Sequence, residues 1–93
     1  MQFDWDNGNR AKCRKHGVPL EETEAFFRSQ PNVHRDPVHS GAEERFIAVG
    51  MSPSGRLIFA AFCWRHGKVR PVSVRYMRER EVRKYEKSTD PED

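Results

Sequence analysis

Three apolar runs, Arg45 to Met51, Arg56 to Arg65 and Lys68 to Met77, are separated by connections too short to hold a helix. Ser52-Pro53-Ser54-Gly55 is turn chemistry, and His66-Gly67 is a tight hairpin loop. Strands joined so closely run antiparallel, because a parallel partner needs a crossover of about a dozen residues or more. The chain is thereby committed to an antiparallel meander. Leu57 through Trp64 is apolar without alternation, which predicts a central strand covered on both faces. Pro71 brings no ladder donor, so a bulge or an unpaired side is expected in the last run.

Ahead of the meander, Phe3 and Trp5 alternate with aspartates in the manner of a brief strand. Asp6 or Asn7 then caps a helix running to about His16, where Gly17 stops it. Val18-Pro19 opens a second helix with Glu21, Glu22 and Glu24 near the positive end of its dipole. Leu20, Thr23 or Glu24, and Phe27 fall on one face, which Phe26 widens, and Ser29-Gln30-Pro31-Asn32 closes the helix. From Pro31 to Gly41 the chain is polar, which predicts a short edge strand near Val33 and then a mobile loop. Arg78 to Lys87 has helical composition, and fraying is expected from Ser88 onward. Helices segregated to one side of an antiparallel sheet give an α+β, two-layer domain. A chain of 93 residues supports one such domain, residues 1–93, with one modest core to which Trp5, Phe46, Phe59 and Phe62 are assigned. Any active site then lies on a sheet face or at its edge.

Lysine and arginine number 17 against 14 acidic residues, a net charge of +3, but the cations are unevenly spread. Arg65, Lys68, Arg70, Arg75, Arg78, Arg80, Arg83 and Lys84 crowd the last third, which marks it as a surface for nucleic acid or an acidic protein. The N-terminus carries neither a basic lead nor a long apolar run, so no signal peptide or membrane span is expected and the protein is placed in the cytoplasm. Cys13 and Cys63 are then free thiols. Cys13-x-x-His16 and Cys63-x-x-His66 are tempting as a tetrahedral zinc set. Against this, Cys63 sits in an apolar strand where cysteine packs as a small hydrophobe. Neither a metal nor a cofactor is expected.

Trp5-Asp6, Lys15-His16-Gly17-Val18, Glu44-Arg45-Phe46-Ile47-Ala48-Val49-Gly50, Ser73-x-Arg75, and Glu81 with Tyr85 follow one another in a characteristic order. In that order and spacing the chain, from Phe3 to about Tyr85, resembles the BrnT family of toxins. The resemblance implies a RelE-like fold with two N-terminal helices and a C-terminal helix. It also implies an endoribonuclease that halts translation until a ribbon-helix-helix antitoxin covers it, with a homodimer within the toxin-antitoxin complex as a further expectation. Asn9 stands where the family usually has lysine, Cys13 where it usually has asparagine, and Arg70-Pro71-Val72-Ser73-Val74-Arg75 where isoleucines usually precede Ser-Ala-Arg.

Cleaving RNA without metal requires deprotonating a 2′-hydroxyl, stabilising a pentavalent phosphorane and protonating the departing 5′-oxygen. Guanidinium forks meet the second requirement, and Arg65 and Arg75, on strands joined by the His66-Gly67 hairpin, are the first choices. His16 is the candidate for proton transfer by its titration range, although a histidine also serves simply to finish a helix. Lys15, Arg70 and Arg78 are candidate RNA phosphate contacts, and Trp64 beside Arg65 and Tyr76 beside Arg75 are candidate base-stacking rings. A noncatalytic RNA- or DNA-binding module, or a degenerate toxin that only binds its antitoxin, are the alternative readings.

Overall fold

The computed structural model describes residues 1–88, with Ser88 the last residue of the final helix. The elements are α1 (Asn7–Arg14), α2 (Leu20–Arg28), β1 (Asn32–Arg35), β2 (Arg45–Met51), β3 (Leu57–Arg65), β4 (Lys68–Tyr76) and α3 (Glu79–Ser88). The remainder of the tail expected to fray lies outside the described residues. The strands form a four-stranded antiparallel sheet in the order β1-β2-β3-β4, so the protein is α+β, with its meander where the turns require it. His66 (φ 55°) and Gly67 (φ 74°) both occupy the left-handed region, the two-residue geometry whose twist matches that of the flanking strands.

α1 starts on a reciprocal cap. Asp6 Oδ1 accepts from the Asn9 amide at 2.9 Å, while Asn9 Oδ1 accepts from the Asp6 amide at 2.7 Å. The helix ends at Arg14, two residues short of the expected His16, because Gly17 at φ 81° turns the chain out of it. The brief strand expected at Phe3 is reduced to a single parallel bridge to Val69, on the outer edge of β4. Asp4 donates to the Val69 carbonyl at 2.8 Å and Val69 donates to Gln2 at 2.9 Å. The pairing stops there because Pro71 has no N–H to offer and α1 begins at Asn7.

α1 and α2 cover one face of the sheet. Cys13, Val18, Phe26 and Phe27 pack on Ala48, Ile58, Ala60, Phe62, Val69 and Val74, with Phe3, Trp5, Phe46 and Tyr76 partly buried around them. Phe27 is the hub, its ring 5.2 Å from Phe62 and 5.3 Å from Phe26 in edge-to-face contact. Truncating such a side chain to alanine costs about 3–5 kcal/mol.

The opposite face differs from expectation. β3 is not sealed on both sides: Phe59 and Ala61 stay half-buried there, and Phe59 is absent from the main core. The apolar run that suggested a fully covered strand is shielded on this side only by partial lids. α3 supplies one of them instead of joining the helix layer, since Glu81, Lys84 and Tyr85 border Val49 and Phe59. The chain from Asp36 to Glu44 supplies the other, at the far end. Among the described residues no helix is long and apolar enough to cross a membrane.

Candidate functional site

The half-open face is organised by a bulge. In β3–β4 pairing, Ala61 opposes Ser73 but Phe62 opposes Pro71, so Val72 is the extra residue. Side chains alternate along a strand, and without the extra residue Arg70 and Arg75, one even and one odd, would point to opposite faces. The bulge resets the alternation. Cys63 pairs with both Arg45 and Arg70, and Phe59 pairs with Arg75, so all three arginines share the face of Arg65. The irregularity expected from Pro71 is therefore what gathers the cations.

Along this face the rows run from Arg65 through Arg45, Cys63 and Arg70, then Ile47, Ala61 and Ser73, to Val49, Phe59 and Arg75. Six residues of β3 separate Arg65 from the row of Arg75, about 20 Å of strand. The expected pair thus shares a face but stands at its two ends, with an apolar floor between.

Three of these guanidiniums are held by carboxylates. Arg65 Nη2 lies 2.5 Å from Glu43 Oε1, Arg70 Nη2 lies 2.8 Å from Asp6 Oδ2, and Arg75 Nη1 lies 2.6 Å from Glu81 Oε1. Arg75 also lies over the Phe59 ring, 4.8 Å from its centroid. Hydrogen bonds from Arg65 hold the Glu43 carboxyl below the usual carboxylate range. The Asn9 amide and then Arg70 do the same for Asp6. Glu81 is pushed down to about 2 by Arg75, and next by the Arg78 amide, whose N–H it accepts at 2.9 Å in the first turn of α3. Arg45 is different. Among the described residues it has no ion pair, and its side chain lines two adjoining depressions of about 420 and 390 Å³.

The segment above Arg45, expected to be mobile, is tied down. The Asp36 amide donates to the Arg45 carbonyl at 2.8 Å, Ser40 Oγ donates to the Asp36 carbonyl at 2.7 Å, and the Arg45 amide donates to Ser40 Oγ at 2.9 Å. Within this clasp His39 Nδ1 meets Asp36 Oδ2 at 2.8 Å, and the imidazole borders both depressions. Sequence reasoning passed over Arg45 and His39. The spacing of Asp36, His39 and Ser40 was the available signal, since short polar side chains in a turn bond locally to the backbone.

The surface is a shallow trough edged by four arginines, three of them paired with carboxylates, and floored by apolar side chains. Residues 5–81 match the family described as the ribonuclease toxin, BrnT, of type II toxin-antitoxin systems. The chain belongs to the BrnT family. The match covers the whole trough, from Trp5 before α1 to Glu81 in α3, and carries with it a ribonuclease toxin's description and an antitoxin partner. No curated protein matches the chain.

Other residues singled out in this BrnT chain lie away from the trough. Lys15 and His16 are exposed just beyond α1, in the layer on the other side of the sheet, so the structure does not bring His16 to Arg65 or Arg75. Trp64 and Tyr76 follow the alternation of their strands and also face the helix layer. Trp64 is 50% exposed and stands edge-on to Phe62. The Tyr76 hydroxyl donates to Glu22 of α2, and Arg56 caps its ring. Arg78 is exposed at the start of α3. The two cysteine-histidine pairs are separated by the sheet: Cys13 belongs to the core, while Cys63 lines the trough. No group of three or more metal-ligating side chains occurs among the described residues. Asn9 and Cys13 both have structural roles here. Cys13 is fully buried, and Asn9 Nδ2 donates to the carbonyls of Asp4 at 2.9 Å and Pro71 at 3.0 Å.

Proposed function

We propose that this chain is a metal-independent endoribonuclease toxin that seats single-stranded RNA along the trough, in the cytoplasm, and is silenced by a ribbon-helix-helix antitoxin laid over the same face. Arg45 carries the reading: an uncommitted guanidinium, fixed at the head of β2 and opening onto both depressions, is the fork a scissile phosphate needs. Arg65 and Arg75 extend the phosphate track in both directions, each exchanging its carboxylate partner for a phosphate oxygen when RNA enters. Ile47, Ala61 and Phe59 give the bases or the antitoxin an apolar floor. Lys15, Trp64 and Tyr76 take no part in this track, and Arg78 lies at its margin.

The test is to incubate purified protein with end-labelled single-stranded RNA in excess chelator, beside Arg45→Ala and Arg75→Ala variants matched by thermal melting. Wild type is expected to leave fragments with 2′,3′-cyclic phosphate ends, and Arg45→Ala to cleave at least about 100-fold more slowly. RNA that binds with a steep salt dependence yet stays intact would make the chain a noncatalytic nucleic-acid module. Undiminished cleavage by Arg45→Ala would remove the trough as the site.

A further inference from the structure

We infer that His39, oriented by Asp36, is the general base for RNA cleavage at this trough, an assignment that rests on the ribonuclease reading above. A metal-free cleavage site must hold a proton acceptor beside its phosphate fork. His16 lies in the helix layer, and His66 occupies the hairpin tip. His34 shares the trough's face opposite Ile47 but has no carboxylate to orient it among the described residues. His39 alone combines all the requirements among the described residues. It borders both depressions that Arg45 lines, and its Nδ1 is engaged by Asp36 Oδ2 at 2.8 Å. Among the described residues its Nε2 has no partner.

The chemistry follows from that asymmetry. With Nδ1–H donating to the Asp36 carboxylate, the tautomer is fixed and the Nε2 lone pair is presented to the depression. The Asp36 carboxylate is only 13% exposed and its backbone is clasped to Arg45 and Ser40, so the ring is held by the strand that carries the phosphate fork. Nε2 removes the proton of the 2′-hydroxyl and the 2′-oxygen forms a bond to phosphorus. The P–O5′ bond breaks, its electron pair stays on the 5′-oxygen, and that oxygen takes a proton from water. Products are a 2′,3′-cyclic phosphate and a 5′-hydroxyl, and the imidazolium returns its proton to solvent. Asp36 steadies the imidazolium meanwhile, which makes it a positioning residue. The charged and titratable groups that line the two depressions with His39 are Asp36, Glu43, Arg45, Cys63, Arg65 and Arg70.

The experiment measures single-turnover cleavage by wild type, His39→Gln, His39→Ala and Asp36→Asn. Affinity is measured separately with an uncleavable all-2′-deoxy oligonucleotide. His39 is 65% exposed, so its replacement spares the fold. His39→Gln is expected to slow cleavage about 100- to 10,000-fold with affinity within about twofold. Added imidazole is expected to restore part of the rate of His39→Ala and nothing to Arg45→Ala. Asp36→Asn should lose an intermediate factor and shift the pH–rate profile, which loss of packing alone would not do. Active wild type with an equally active His39→Gln overturns this assignment and leaves the ribonuclease reading standing. Inactive wild type overturns that reading and this one together.

Discussion

Arg75 and Glu81 meet fork to fork, Nη1 to Oε1 at 2.6 Å and Nη2 to Oε2 at 2.8 Å, and so fasten the last strand to the last helix. A paired and doubly bonded carboxylate of this kind makes stability depend on pH. The Glu81 carboxyl titrates near 4.5 when unfolded and near 2 when folded, so its contribution is complete above the first value and lost as pH falls toward the second. The full shift corresponds to about 3 kcal/mol, and solvent screening of a side chain that is 32% exposed reduces it to about 1–2 kcal/mol. Urea unfolding at pH 5.5 should therefore find Glu81→Gln less stable than wild type by about that amount. At pH 2 the two should converge. A gap that persists at pH 2 would show that the pair stabilises by packing rather than by charge.

Asn9 bridges the N-terminal segment, α1 and the bulged strand through its amide. Replacing it with alanine leaves the Pro71 carbonyl, and in part that of Asp4, without a donor, and removes half of the α1 cap. The expected cost is about 2–3 kcal/mol, seen as a melting temperature lower by about 10 °C or more. A shift of only a degree or two would mean that water replaces the amide without loss.

Burial pushes the Cys13 thiol up to about 11, and burial with the Glu43 charge raises that of Cys63. Native protein at pH 7.5 should thus resist iodoacetamide at both positions, with Cys13 slower than a free thiol by about two orders of magnitude or more. Denatured protein should be alkylated at both. Peptide mapping after a timed exposure distinguishes the two sites, and rapid native labelling of Cys13 would contradict its place in the core.

His66 holds a left-handed backbone conformation that asparagine and glycine adopt more readily. His66→Asn is expected to stabilise the hairpin by about 0.5 kcal/mol and His66→Val to destabilise it by about 1 kcal/mol or more, with cleavage unchanged in both. Chemical denaturation would measure the first effect. Loss of cleavage in a folded His66→Asn variant would instead bring the hairpin tip into the site.

The strands, their turns, the two N-terminal helices and the Pro71 irregularity were legible, because periodicity and turn chemistry act locally. What the irregularity does was not. Arg65 and Arg75 share one face, yet that depends on Val72 being the unpaired residue, which follows only from the register. Trp64 and Tyr76 were paired with the arginines beside them in sequence, whereas alternation along a strand sends neighbours to opposite faces. The side of the sheet taken by α3 depends on Glu81 finding Arg75 and on Tyr85 lining one depression with Phe59, relationships that no local pattern encodes. The loop that follows the edge strand, up to Gly41, read as mobile because its order comes from hydrogen bonds to β2 rather than from any repeating backbone structure.

The bridge between Phe3 and Val69 joins a segment ahead of α1 with one synthesised much later. On the ribosome the N-terminal segment has no strand to join until β4 has emerged, and Arg70, held by Asp4 and Asp6, cannot be set before then. β4 also supplies Arg75 and the bulge. The trough is therefore completed only once β4 has emerged, so a truncated product ending before β4 carries neither the finished trough nor all of its arginines. Any activity housed there is delayed until that strand is in place.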